Sequence, residues 1–243
     1  MSKIVWDAVG ERKFEAGVSK AVLYKKTLTD PYGLGVPWNG VTAITDSPEG
    51  AEPNDMYADG IKYGSIRSAE IAKLTIEAYT YPDEFAECDG FAEPVEGLRL
   101  KQQTRKPFGL CYRSEVGSDT EEVGDGDYKL HLVYGAIASP AERPHNTIND
   151  SPEAETMSWE VETTPVPVSG YKPTATLEID SSKFTPAKMA ALEAILYGKD
   201  AVDAVDASGT EGQPGYVPAV AAVAAVEPRL PLPAEVITLM TAA

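Results

Sequence analysis

Thr185-Pro-Ala-Lys-Met-Ala-Ala-Leu-Glu-Ala-Ile-Leu-Tyr-Gly198 is the stretch on which the fold turns. Thr185 stands where an N-cap belongs, Pro186 suits the first helical position, where an N–H is spare, and Gly198 suits a left-handed stop. Met189, Leu192, Ile195 and Leu196 recur three and four apart as one apolar stripe, with Lys188 and Glu193 turned away from it. A helix of about 12 residues is marginal alone in water, so the stripe must be buried on something else. The rest of the chain reads as strands, and the partner is therefore a sheet.

Working back from the helix, Thr174 to Asp180 alternates with Ala175, Leu177 and Ile179 inward. Glu155 to Thr163 does the same with Met157, Trp159 and Val161 against Ser158, Glu160 and Glu162. Tyr128 to Tyr134 is a further strand, expected to run antiparallel to Gly109–Arg113 across an acidic connection through Asp125-Gly126-Asp127. Leu98 and Leu100 alternate with Arg99 and Lys101, Pro82 to Cys88 looks like a short helix stopped at Asp89-Gly90, and an irregular stretch follows Gly135. Glu70 to Tyr81 predicts a strand with Ile71, Leu74, Ile76 and Ala78 inward, and Lys20 to Leu28 a first strand after an arm at 1–19. The string is mainly β with one well-formed helix, which predicts a β-sandwich or small barrel flanked by that helix.

Between Thr29 and Ile66 turn residues dominate, as in Asp30-Pro31, Asp46-Ser-Pro48, Glu52-Pro53-Asn54-Asp55 and Asp59-Gly60. The reading is a long functional loop. Its aromatic residues Trp38, Tyr57 and Tyr63 suit an interface, with packing onto the parent domain as the alternative. Residues 200–226 form a low-complexity Ala/Val tract, read as a flexible excursion. The chain regains character in 227–243, where Pro233 starts a last helical turn bearing Val236, Ile237 and Met240. The domain expectation is thus 1–199, then the 200–226 tract, then a closing segment.

Among 243 residues, 21 Lys and Arg face 38 Asp and Glu, a net charge of −17 that argues against phosphate-backbone binding. No apolar run is long enough to span a membrane, and Met1 to Asp7 lacks the basic-then-apolar order of a secretory leader. Cys88 and Cys111 have no metal-type spacing and are expected to be free thiols, a single disulfide being the alternative. His131 falls within a strand on the face of Lys129 and Val133, and His145 in a Pro-rich loop without a ligand pattern. The run Asp119, Glu121, Glu122, Asp125 and Asp127 is the best metal candidate, but it lacks the ligand order of an EF-hand. No nucleophile elbow, P-loop or zinc-protease motif is present. No enzyme, cofactor or metal is expected.

Several segments carry a resemblance: Val5-Trp-Asp-Ala-Val-Gly-Glu-Arg-Lys-Phe-Glu-Ala-Gly-Val-Ser19, Tyr32-Gly-Leu-Gly-Val-Pro-Trp-Asn-Gly-Val-Thr-Ala-Ile-Thr45, Pro107-Phe-Gly-Leu-Cys-Tyr-Arg113, Leu132-Val-Tyr-Gly-Ala136, Ser158-Trp-Glu-Val-Glu-Thr-Thr-Pro-Val166 and Leu196-Tyr-Gly198. In this order they resemble the major tail proteins, or tail-tube proteins, of long-tailed phages of Gram-positive bacteria. The likeness runs over about 1–199 and again over 229–239, and the 200–226 tract falls outside it.

The resemblance implies a tail-tube fold, shared with type VI secretion tube proteins: a β-sandwich or barrel-like core with a flanking helix, long loop and terminal arms. It implies hexameric rings that stack into a hollow tube around a tape-measure protein, with tail terminator and distal tail proteins at the ends. DNA is transient lumen cargo, and no membrane insertion is implied. The location would be the virion tail, assembled in the host bacterial cytoplasm. Six copies would carry about −100, which would keep DNA sliding if part of it lines the lumen. The candidate ring-stacking residues are Trp38, Asp46, Glu49, Asp55, Tyr57 and Tyr63. The competing reading is a β-sandwich carbohydrate-binding module of a phage baseplate, suggested by 12 Tyr and 3 Trp.

Overall fold

Three strand runs are buried on successive residues, Ala21 to Tyr24, Phe108 to Tyr112 and Leu132 to Ala136, and a strand buried on both faces must lie between two layers. The structure is a computed structural model and describes residues 4–27, 32–120, 126–147, 150, 154–204 and 221–242. Its strands in chain order are β1 (Phe14–Lys25), β2 (Gly35–Pro37), β3 (Val41–Asp46), β4 (Glu49–Gly50), β5 (Pro53–Ala58), β6 (Ile61–Arg67) and β7 (Glu70–Ile71). They continue with β8 (Lys73–Ala78), β9 (Ala92–Val95), β10 (Leu98–Leu100), β11 (Phe108–Gly117), β12 (Tyr128–Ala138), β13 (Met157–Thr163) and β14 (Thr176–Asp180). The helices are α1 (Pro186–Tyr197) and α2 (Pro233–Thr241).

The main sheet runs β2-β1-β11-β12-β13-β8-β3, with β14 also on β12, and its pairs are antiparallel. The chain is therefore mainly β, a β-sandwich flanked by helix, as the sequence pattern predicts.

β12 joins the two layers. Its first part pairs with β14 from Lys129 to Val133, and its last part with β13 from Ala136 to Ala138. Between them the period of two breaks: Leu130, Leu132 and Tyr134 point to one core, while Val133, Ala136 and Ala138 point to the other. The β11–β12 register shifts at the same place, the mark of a bulge. Gly135 makes the break possible. It sits at φ +60, and a Cβ there would lie 2.4 Å from the Thr164 carbonyl oxygen. The strand runs three residues past Gly135, and the irregular stretch expected there begins at Ser139.

One core lies between the sheet layers, where Trp38, Phe85, Phe108 and Trp159 pack edge-on or tilted, joined by half-buried Tyr81. The other lies under the helices, where Met189, Leu192 and Leu196 of α1 and Val236 and Met240 of α2 cover Tyr24, Leu130, Leu132 and Tyr134. Phenol hydroxyls bolt the second core to the C-terminal segment and to α1: Tyr134 Oη donates to the Pro231 carbonyl at 2.8 Å and Tyr24 Oη to the Leu196 carbonyl at 2.6 Å. Cys88 belongs to the first core and Cys111 to the second, so no disulfide joins them. Burial pushes both thiols up to about 12.

Several details differ from the sequence expectation. Thr185 caps α1 only through its carbonyl, which accepts from the Lys188 and Met189 amides. Lys188 does not face outward: its Nζ donates to the Met240 carbonyl at 2.9 Å, tying α1 to the end of α2. The expected last helical turn is a full nine-residue helix with Pro233, Val236 and Met240 buried. Ile71 is exposed, because it stands three residues from Leu74 and the strand breaks at Ala72, whose carbonyl accepts from Thr163 Oγ1 at 2.6 Å. The arm ends at Phe14, where β1 begins. Of the 200–226 tract, residues 205–220 lie outside the described residues; at its ends Lys199 bridges Val226 and Val202 bridges Val223.

Candidate assembly surfaces

The segment read as a loop over 29–66 holds five strands, and they do different things. β2 and β3 join the main sheet, and β4 pairs with β7. Among the described residues β5 and β6 pair only with each other, as a two-stranded ribbon closed by Asp59 at φ +51 and Gly60 at φ +78. Two successive positive φ values are what a tight type I′ hairpin turn requires, and Asp-Gly supplies them cheaply. The ribbon exposes Met56, Tyr57, Ile61, Tyr63 and Ile66, with Tyr63 78% accessible.

The six residues singled out from sequence therefore separate. Trp38 is 3% exposed, belongs to the inter-sheet core and donates from Nε1 to the Thr80 carbonyl at 2.9 Å. It is a packing residue in the folded subunit, and the parent-domain alternative holds for it. Asp46 ends β3 at the surface. Glu49 pairs with Lys73 at 2.8 Å, and Lys73 also holds Glu162 at 2.7 Å. Asp55, Tyr57 and Tyr63 do come together on the ribbon, with Lys62 2.7 Å from Asp55.

Other exposed apolar groups went unread in the sequence. Ile4, Val5, Trp6 and Val9 stand in solvent on the arm, which is pinned farther along by Gly10 N–H donating to Asp119 at 2.9 Å and by Lys13 on Asp127 at 2.9 Å. β9 and β10 form a second small ribbon exposing Val95, Leu98 and Leu100. The alternation of Leu98 and Leu100 resembles that of a core strand, yet the structure leaves the leucine face exposed and turns Arg99 of the other face toward Tyr81.

Beside that ribbon lies a concavity of about 580 Å³ lined by Asp89, Phe91, Lys101, Arg105, Pro140 and Arg143 among others. Asp89 is 6% exposed and holds two guanidinium groups: Arg105 Nη1 reaches Oδ1 at 3.0 Å, and Arg143 Nη2 bonds Oδ2. Arg105 also donates to the Ala138 carbonyl at 3.1 Å, and Arg143 to Tyr81 Oη at 3.0 Å. Arg143 lies 4.8 Å over the Tyr81 ring and 5.0 Å over Phe91, and Lys101 Nζ lies 5.9 Å over Phe91. Burial works against the charged form of Arg143, yet the bonds and charges of Tyr81 and Asp89 outweigh it and hold its pKa up. His145, also in the lining, sits 3.7 Å from Glu155. Two guanidiniums and one ammonium against one carboxylate make this a positive hollow on an acidic chain. The pattern of residues does not disclose that Asp89 gathers these groups, because it is 16 residues from Arg105 and 54 from Arg143.

His131 is half-buried and stacks on Tyr112, with ring centroids 4.5 Å apart and planes 8° off parallel, and its Nε2 lies 2.8 Å from Ser114 Oγ. Burial lowers its pKa, against the pull of Glu178, Asp46 and Glu15. A histidine whose folded pKa is depressed favours folding only while neutral. Its contribution is complete above the unfolded value of about 6.5 and is lost as pH falls from there through the lower folded value. Thermal melts at pH 7.5 and 5.5 should therefore show wild type losing more stability than His131→Phe, which keeps the stack without titrating. Equal losses would remove this role.

Among the described residues no three His, Cys, Asp or Glu side chains gather as a metal set; Glu121, Glu122 and Asp125 of the acidic run lie outside them. Asp119 and Asp127 are engaged by the arm, as above. No described helix is long and apolar enough to cross a membrane.

No protein-family model matches the sequence, and no curated protein does. Among solved structures, the chain is similar to one from the six-fold symmetrised cryo-EM baseplate of the anti-feeding prophage, with a TM-score of 0.34 and 8% identity over 74% of this chain and 97% of that one. It is also similar to a chain of the extended sheath–tube complex of an extracellular contractile injection system, with a TM-score of 0.31 and 10% identity over 66% of this chain and 88% of that one. Likeness at this level carries no function across.

Proposed function

We propose that the protein is a structural subunit of a phage-type tail, namely the major tail-tube protein, forming hexameric rings that stack into a hollow tube around a tape-measure protein. In this reading the tube later conducts DNA, and tail terminator and distal tail proteins close its ends. The observation that carries the proposal is the β5–β6 ribbon. Two strands with apolar residues in solvent and no third strand are marginal on their own, so the ribbon is built for a surface supplied by another molecule. The segment order described above, the apolar arm and the absence of a catalytic motif in the sequence support the same reading. The charge of −17 suits a lumen that must not hold its cargo.

Negative-stain microscopy of the purified full chain over a concentration series tests it. Rings or tubes are the expected result, and monomers at every concentration, with or without the tape-measure partner, would overturn it. The exposed Tyr57, Tyr63, Tyr79 and Tyr171 favour one second reading, a carbohydrate-binding module of a baseplate. Binding on a glycan array without polymerisation would select that reading instead.

A further inference from the structure

Resting on the self-assembly reading, we infer that the positive hollow at Lys101, Arg105 and Arg143 is the receptor for the Asp59 tip of the β5–β6 ribbon of a second copy of this chain.

The two features are unlike patches built from different parts of the chain. The ribbon joins the domain just before Lys73, where β4 pairs with β7, while the hollow is built after β8 ends at Ala78, from Asp89 and the guanidinium groups of Arg105 and Arg143. A contact between two unlike patches of the same chain is head-to-tail, and repeats from copy to copy.

Chemistry matches at both levels. The tip of the ribbon presents the Asp59 carboxylate at the turn, flanked by exposed Tyr57 and Ile61. Asp55 lower on the ribbon is already held by Lys62, which leaves Asp59 as the acid at the apex. The hollow offers positive charge in excess of Asp89, with the Phe91 ring and Pro140 as apolar wall, and the exposed Val95, Leu98 and Leu100 of β9–β10 nearby. An acid tip with aromatic flanks thus meets a basic floor with an apolar rim, on a chain whose net charge otherwise repels its copies.

A charge exchange on the full-length protein tests this, read by sedimentation velocity and by microscopy. Asp59 is at an exposed turn and the Lys101 side chain is exposed, so Asp59→Lys and Lys101→Glu should fold, which thermal melts of each variant check. Each single change should raise the concentration needed for assembly by roughly tenfold or more at low salt. The double variant D59K/K101E should recover most of that loss. Single variants that assemble like wild type, or a double variant no better than the singles, would overturn the contact while leaving the tube reading intact. A wild type that never assembles would overturn both.

Discussion

Deleting residues 53–67 and rejoining the chain with a short Gly-Ser turn should leave a folded subunit that no longer forms stacked assemblies. β5 and β6 pair with each other and with no other strand, and none of their residues belongs to either core. The domain therefore loses no buried side chain, and its melting temperature should move by no more than a few degrees, the shift that about 1 kcal/mol brings in a domain of this size. What it loses is the exposed apolar surface of Tyr57, Ile61, Tyr63 and Ile66. On the proposed tube reading, microscopy and sedimentation should find stacked assemblies for the wild type and only isolated subunits or unstacked rings for the shortened chain. Tubes of normal length from the shortened chain would refute the assignment of the ribbon. The cut has to respect the ribbon: removing 48–60 takes β4 and β5 but leaves β6 without a partner, and confuses misfolding with lost stacking.

The second large effect is on stability. Trp159→Ala should destabilise the subunit by about 3–5 kcal/mol, the range for emptying a fully buried large aromatic site. Trp159 is 0% exposed and touches Trp38, Tyr81 and Phe85, with ring centroids 5.4–5.8 Å apart, so truncation opens a cavity walled by three other aromatic rings. Trp159→Phe is the informative control. The indole Nε1 of Trp159 has no hydrogen-bond partner, so a phenyl ring forfeits volume but no hydrogen bond. Denaturant melts should place the Phe variant well above the Ala variant. A loss under about 1 kcal/mol for Trp159→Ala would mean that the site collapses freely, and that the aromatic cluster does not join the layers.

The sequence was readable where burial is one-sided or locally periodic. Trp159 and Val161 alternate against Ser158 and Glu160 because β13 has one dry face, and the α1 stripe at Met189, Leu192 and Leu196 follows from helix geometry alone. Legibility ends where a residue's fate depends on distant partners. Trp38 lies among turn residues and reads as a loop aromatic, yet Phe85 and Trp159 bury it. Leu98 and Leu100 carry the alternation of core residues but lack a covering layer. The change of phase at Gly135 is invisible in a pattern of period two, since it takes the Thr164 carbonyl to show why no side chain fits. The basic hollow is the extreme case, assembled around one carboxylate that in sequence belongs to an acidic run.

The bridges Lys199–Val226 and Val202–Val223 have a consequence for how this chain can grow. They hold the two ends of the Ala/Val tract side by side, and from there the chain passes to Pro228, Arg229 and Leu230, whose backbones bond to Gly35, Ile195 and Tyr32. With both ends moored, the length of what lies between matters little to the fold, since each doubling of a closed loop adds only about 0.6 kcal/mol. Repeated units could be gained or lost there, and foreign sequence grafted, without disturbing the segment that seals the helical core.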